Sequence, residues 1–222
     1  MSASSKLTLK CPSCKGEFPF KPQTVLRPGS PEVTALLQGK LNRVQCPHCK
    51  YQYLHPEPLL FRDDAERYLV YYLPRQLFGE LSEAQDKLSS LYESIFGELP
   101  EADQPRCRLT VARNQFIEKL VIHQHGLDDR LVEYVKYQLF QHSPGLDAAK
   151  HDVLYDFQGS TPELIQFVVF ERDNGQPQYA LSFQRAAYEE LRAYFLGSPE
   201  MEAELNDLFP PRFVHVEELV RQ

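Results

Sequence analysis

Two Cys-Pro-x-Cys segments carry the clearest chemistry in this sequence. Cys11-Pro12-Ser13-Cys14 is followed by Cys46-Pro47-His48-Cys49. Two residues between cysteines let a tight turn direct both sulfurs at one ion, and proline restricts the backbone of that turn. Four thiolates in a tetrahedral array favour zinc, with iron as the competing metal. Since a site of four cysteines has no open coordination position, we predict a structural zinc ion bound by Cys11, Cys14, Cys46 and Cys49.

Alternative interpretations of these segments are weaker. One Cys-x-x-Cys alone would be compatible with a thioredoxin-like redox pair, but two of them, each followed by lysine and a strand-like stretch, favour a ribbon. Lys15 and Lys50 stand where glycine often supplies a left-handed turn, and their charges would offset the anionic cluster. His48 would be a ligand only in place of a thiolate, His55 is interpreted as a strand residue, and Cys107 as a small buried hydrophobe.

We call each Cys-Pro-x-Cys segment a knuckle. A group of basic and aromatic residues follows the second knuckle, and it is the best candidate for a binding surface. Tyrosine alternation is first of all typical of sheet packing, but exposed aromatic and basic side chains on one face could also bind single-stranded nucleic acid. The residues of this predicted nucleic-acid surface are Lys50, Tyr51, Tyr53, Arg62 and Arg67.

An acid and histidine cluster surrounds Gly126. The favoured interpretation is that Gly126 ends one helix and that Asp128 or Asp129 caps the next. The alternative is an enzyme of unknown reaction that uses His123 or His125 with Glu118 and the two aspartates. Motifs for phosphate binding or for known hydrolases are absent from the sequence, so no reaction is selected.

Charge divides the chain unevenly. The net charge of the 222 residues is −7, but residues 1–75 carry 11 Lys/Arg and 6 Asp/Glu, whereas residues 76–222 carry 13 and 25. The whole chain is therefore expected to bind nucleic acid poorly, although the basic first third could bind it locally. Residues 1–10 lack the apolar core of a secretory signal and no apolar run is long enough for a bilayer, which predicts a soluble cytoplasmic protein.

Hydrophobic periodicity and turn signals predict an α+β fold, with a rubredoxin-like zinc ribbon of four cysteines fused to a helical and mixed α+β body. We predict a zinc-ribbon β lobe over residues 1–75, a helical part over 76–145, and a C-terminal β-hairpin and helix over 146–222. Strands are predicted at 17–26, from Tyr51 to Phe61, and at 66–73, 106–112, 154–157, 164–171 and 179–183. Helices are predicted at 32–41 with Ser30 as cap, along the apolar seam from Leu77 to Ile95, and at 114–123, 130–141 and 184–196. Asn174-Gly175 predicts a type I′ hairpin.

The two knuckles and their context resemble the CpXC family of bacterial and archaeal proteins. The resemblance rests on the cysteines, on Pro56-Glu57-Pro58-Leu59-Leu60-Phe61-Arg62-Asp63, and on Tyr72-Leu73-Pro74. It continues through Glu118-Lys119, Gly126-Leu127-Asp128-Asp129-Arg130 and the helix with Glu133 and Lys136, so that it covers roughly residues 7–142. The family is uncharacterised, and the resemblance implies only zinc binding by the four cysteines, with the rest of the chain as an extension.

The predicted function is a zinc-stabilised binding module, with a protein-interaction adaptor favoured. The alternatives are a nucleic-acid or ribosome-associated zinc ribbon and the enzyme described above. The seam at 77–95 is interpreted as a helix packed on its own core, with a homodimer through this helix as the alternative.

Overall fold

A computed structural model of the chain describes residues 7–220. The described chain divides between Arg113 and Asn114 into two compact units. The absence of a secretory signal is predicted for residues 1–10, and residues 1–6 of this segment lie outside the described residues. Within residues 7–220, no helix is long and apolar enough to cross a membrane. The domain limits predicted at 75 and 145 stay predictions.

The first unit consists mainly of short strands, because its prolines and knuckle turns interrupt extended backbone. Its strands are β1 (Leu7–Lys10), β2 (Glu17–Phe20), β3 (Val25–Leu26), β4 (Arg43–Gln45), β5 (Gln52–Leu54), β6 (Leu59–Asp63), β7 (Tyr68–Tyr72) and β8 (Arg106–Thr110). Its helices are α1 (Pro31–Leu37) and α2 (Leu81–Phe96), and single 3₁₀ turns occupy Arg75–Leu77 and Glu101–Asp103. Ser30 is confirmed as the cap of α1, since its side chain accepts a hydrogen bond from the amide of Val33.

Three sheets form within this unit. β1 pairs with β2 and β4 with β5 as antiparallel hairpins, while β3, β6, β7 and β8 form a four-stranded sheet in that order. β7 and β8 are parallel, so the chain between them must cross over the sheet, and α2 lies in this crossover. α2 buries Ala84, Leu88 and Tyr92, which recur every four residues on one face. The hydroxyl of Tyr92 donates to the carbonyl of Pro105 over 2.6 Å and thereby ties α2 to the start of β8.

The second unit packs helices on an antiparallel sheet. Its helices are α3 (Arg113–Gln124, which begins at the unit boundary), α4 (Asp129–His142), α5 (Arg185–Leu196), α6 (Pro199–Asp207) and α7 (Glu217–Val220). Its strands β9 (His151–Asp156), β10 (Leu164–Glu171) and β11 (Pro177–Gln184) form one sheet in the order β11-β10-β9. β10 alternates buried and half-buried side chains, and its buried Ile165, Phe167 and Val169 lie in the core with residues of α3, α4 and α5.

The structure confirms a mixed α+β fold and corrects three details of it. Two predicted strands are each divided between sheets where prolines interrupt them: 17–26 becomes β2 and β3, and the stretch from Tyr51 to Phe61 becomes β5 and β6. The seam does not form one helix from Leu77: α2 begins at Leu81, and Leu77 lies in a 3₁₀ turn. The Asn174-Gly175 turn is not type I′, which needs positive φ at both residues, because only Gly175 has it. The assignment to a rubredoxin-like ribbon stays a prediction.

Candidate metal centre

Each Cys-Pro-x-Cys segment forms the turn of a hairpin, the first between β1 and β2 and the second between β4 and β5. The two turns use the same hydrogen bonds. The amide of Cys11 donates to the carbonyl of Gly16 over 2.9 Å, and the amide of Cys46 donates to that of Tyr51 over 2.9 Å. One sequence pattern therefore gives the same backbone geometry twice.

The lysines that follow the knuckles have the left-handed backbone expected of them. φ is 63° at Lys15 and 64° at Lys50. Each amide donates over 3.0 Å to the carbonyl of the first cysteine of its knuckle, Cys11 or Cys46. The ammonium groups also turn back onto their knuckles, where Lys15 Nζ donates to Pro12 over 2.8 Å and Lys50 Nζ to Pro47 over 3.3 Å. These contacts hold each ammonium group against the backbone of its own Cys-Pro-x-Cys turn.

The two hairpins bring the four sulfurs together. All four Sγ atoms lie within 4.8 Å of one another, with Cys11 3.6 Å from Cys49 and Cys14 3.7 Å from Cys46. A tetrahedral zinc site with Zn–S bonds of about 2.3 Å has sulfur pairs about 3.8 Å apart. The sulfur spacing therefore fits a metal ion, and these four cysteines could hold one.

The environment of the thiols also suits a cation. A backbone hydrogen bond from Tyr51 and neighbouring thiols lower the pKa of Cys49 to about 6. At Cys14 the hydrogen bond from Gly16 acts in the same direction, but burial and the neighbouring sulfurs raise its pKa to about 12. Thiols this close cannot all ionise in the absence of a positive ion, and a divalent metal removes that repulsion as it displaces their protons.

The remaining candidate ligands have other surroundings. His48 packs against Gly16, where a β-carbon would lie 2.7 Å from its ring, and its Nε2 lies 3.2 Å from the carbonyl oxygen of Glu17. Gly16 is therefore required for this close approach. His55 lies one residue beyond the end of β5 rather than in a strand, and it pairs with Glu57 over 2.9 Å. Cys107 is buried in β8, as predicted for a small hydrophobe.

A small apolar cluster joins the two hairpins beneath the sulfurs. Its buried members are Leu9, Phe18 and Val44 together with Cys11 and Cys46, and Leu7, Phe20 and Tyr53 pack against it. Cys14 and Cys49 lie on the exposed side. The cluster has only five buried members, so little apolar burial holds the two hairpins together.

The predicted nucleic-acid surface falls on two sheets. Lys50, Tyr51 and Tyr53 belong to the second knuckle hairpin, where the two tyrosine rings stack with centroids 6.1 Å apart. Arg62 lies in β6 and Arg67 in the turn between β6 and β7, and both are paired with acids: Arg62 with Asp64, and Arg67 with Asp103 over 3.0 Å. The charge of both arginines is thus offset locally, and nucleic-acid binding stays a prediction.

The acid and histidine cluster around Gly126 separates into different contacts. Glu118 is buried and accepts hydrogen bonds from Lys136 and from the amide of Tyr155. Asp128 caps α4, as predicted, and pairs with Arg130 over 2.6 Å. Asp129 is instead buried against Lys119 over 3.2 Å. The three carboxylates of the enzyme hypothesis therefore pair with three different cations.

An apolar groove in the first unit was not predicted. It lies between α2 and the four-stranded sheet and has a volume of about 380 Å³. Leu91 and Ile95 of α2 line it with exposed fractions of 52% and 58%, so the predicted packing of this helix on its own core holds for Ala84 and Leu88 but not for these two seam residues. The apolar seam was the sequence feature that could have indicated this groove. The seam predicts that Leu91 is the next buried residue after Leu88, but the neighbouring Tyr92 is buried instead and Leu91 is left exposed.

Comparison with known proteins relates the chain to a protein family. No curated protein matches the chain, and no solved structure matches it. The family model described as CpXC protein matches residues 9–136, which is more than half of the 222 residues and includes all four cysteines. The chain belongs to the CpXC family.

Proposed function

We propose that the four cysteines bind a structural zinc ion that stabilises a binding module. The observation that supports this proposal is the sulfur geometry, with pairs of 3.6 and 3.7 Å between two hairpins of the same backbone form. Four sulfurs occupy all four coordination positions of a tetrahedral zinc ion, so the site has no open position for a substrate. The ion would contribute stability by linking β1–β2 to β4–β5.

Chelation tests this structural role. A strong zinc chelator is expected to lower the melting temperature of the wild-type protein and to unfold the two knuckle hairpins. The Cys107→Ser variant should respond to the chelator as the wild type does, because Cys107 lies outside the cluster. A melting temperature that is the same with and without chelator, in protein shown to have lost its metal, would contradict a structural ion.

The binding role is assigned to the apolar groove. Exposed leucine and isoleucine side chains along one wall are uncommon on a surface that contacts only water. The lining of the groove also includes the exposed ion pairs Arg62–Asp64 and Arg67–Asp103. A groove with an apolar wall and charges of both signs suits an amphipathic segment of a partner protein, with apolar side chains against α2 and charged ones against these ion pairs. This chemistry agrees with an adaptor.

Two substitutions on the wall test this role. Leu91→Lys and Ile95→Lys alter exposed positions, so the fold should be retained. Tyr194→Lys is the matched control, since Tyr194 is 61% exposed and lies in the second unit. A protein that the wild type and the control retain from the host extract should be lost with the groove variants, and once purified it should bind them at least about tenfold more weakly. Equal binding by all variants would contradict the proposal.

A further inference from the structure

The three-stranded sheet of the second unit has two edge strands, β9 and β11, which differ in charge and in side-chain contacts. β9 is protected against pairing with another strand because it carries the charged residues Asp152 and Asp156. Asp152 pairs with Arg172 over 2.9 Å. The amide of Tyr155 in β9 is also covered, since it donates to the side chain of Glu118 over 2.5 Å. Charges and side-chain caps of this kind prevent an edge from pairing with another chain.

β11 has no charged side chain, and its protections are confined to its first residue, Pro177, beside which the pairing with β10 shifts in register. Its eight residues, Pro177-Gln178-Tyr179-Ala180-Leu181-Ser182-Phe183-Gln184, include no charged side chain. All of them are exposed except the half-buried Leu181 and Phe183. Among the strands at sheet edges within residues 7–220, β11 is the longest, and β9 follows with six residues. A long, uncharged and exposed edge is a ready template for strand pairing.

We propose that β11 pairs with β11 of a second copy of this chain. The strands run antiparallel about a twofold axis at Leu181, and two three-stranded sheets become one sheet of six strands. Antiparallel pairing at this length supplies about six to eight hydrogen bonds between the outward backbone groups of the two strands. An interface of this kind is self-complementary, as twofold symmetry requires.

The side chains of β11 support this register. Tyr179, Leu181 and Phe183 share one face of the strand, the face on which Leu181 and Phe183 contact the core. With the axis at Leu181, each Tyr179 lies opposite Phe183 of the second copy, and the two Leu181 side chains face each other. Aromatic and aliphatic pairs of this kind stabilise antiparallel strands. The exposed 42% of Tyr179 would be covered by this pairing.

The opposite face is polar and neutral. Here Ala180 lies opposite Ser182 of the second copy, and Gln178 lies opposite Gln184. Since no charged residue occurs in β11, no like charges meet in this register. The same neutrality makes the pairing sensitive to charges introduced by design.

A charge exchange at Ala180 and Ser182 tests the pairing and its register. Both side chains are exposed, so neither variant should unfold the monomer, which circular dichroism and thermal melting verify. Ala180→Lys with Ser182→Lys places lysine opposite lysine twice and should raise the dimer dissociation constant about tenfold or more. Ala180→Lys with Ser182→Glu places lysine opposite glutamate twice and should retain the dimer. Sedimentation velocity from about 1 to about 200 μM protein at low salt measures both.

Hydrogen exchange gives a second readout. The amides of β11 should become more protected as the wild-type protein concentration rises, while those of β9 should not change. A wild type that is monomeric throughout this range overturns the proposal. A dimer that both double variants retain equally also overturns it and would indicate another face, such as α2.

Discussion

Lys119 of α3 donates a hydrogen bond of 2.9 Å from Nζ to Oε1 of Glu133 in α4, and both side chains are buried. Lys136 Nζ lies 3.2 Å from the same oxygen. The second oxygen of Glu133 accepts the amide of Val216 over 3.0 Å. Burial opposes the ionisation of Glu133, but the two lysines hold its pKa at about 2. A charged carboxylate therefore joins α3, α4 and the C-terminal segment inside the second unit.

Removal of this charge should destabilise the second unit strongly. Glu133→Gln leaves Lys119 and Lys136 buried with less negative charge, which typically costs about 3–5 kcal/mol. Urea unfolding measures the change. Glu189→Gln is the control, because Glu189 pairs with Arg192 at 3.5 Å with both side chains about half exposed, and a small change is expected. Equal effects of the two substitutions would contradict the account of the buried network.

Acid should weaken the same region through His215. Burial lowers the pKa of His215 to about 4, although Glu133 and Glu217 act in the opposite direction. Gln115 contacts its ring, and Lys119 and Lys136 disfavour its protonation. Between about pH 6.5 and 4 the unfolded chain binds a proton that the folded chain does not, so stability falls as the pH falls through this window.

The His215 contribution is at most about 3 kcal/mol by the size of the shift. Chemical unfolding at a series of pH values between 7 and 4.5 measures it. His215→Gln should reduce the loss of stability over this window. If the variant loses as much stability as the wild type, another group is responsible for the acid sensitivity.

Because the lysines that follow the knuckles have a left-handed backbone, glycine should be tolerated there better than a β-branched residue, as measured by zinc affinity. At Lys50, with φ of 64°, glycine adopts the required backbone freely, whereas isoleucine should cost about 1–2 kcal/mol more because its β-branch clashes there. Lys50→Ile should therefore bind zinc about tenfold more weakly than Lys50→Gly in competition with a chelator. Lys40 is exposed and its φ is not positive, so it provides the control. Lys40→Gly should not bind zinc more tightly than Lys40→Ile. A similar order at both positions would contradict the argument.

Local features of this fold were predictable because they depend on few neighbouring residues. The knuckles, the left-handed lysines, and the caps Ser30 and Asp128 each follow from residue types within one turn of chain. The hairpin at Asn174-Gly175 shows the limit of such reasoning. Both neighbouring strands were predicted, but the turn has four residues between Glu171 and Gln176 rather than a two-residue loop.

Features that depend on distant contacts were not predictable. Lys119 and Glu133 are 14 positions apart, and in a helical pattern each has the appearance of a solvent-exposed charge. Only the packing of α3 on α4 brings them together and makes their burial tolerable. The groove is a similar case, because the exposure of Leu91 depends on how α2 crosses the sheet. The sulfur cluster was predictable despite a spacer of 31 residues because cysteine has few other uses in such pairs.

Metal content measured on three purified proteins tests the central claim most directly. The wild type and Cys107→Ser should each contain about one zinc per chain by elemental analysis, and Cys46→Ser should contain much less and be partly unfolded. Cys46 is a buried member of the sulfur cluster, whereas Cys107 is buried in β8, outside it. Iron with thiolate charge-transfer absorption in place of zinc, or equal zinc in the wild type and Cys46→Ser, would contradict a structural zinc ion bound by the four cysteines.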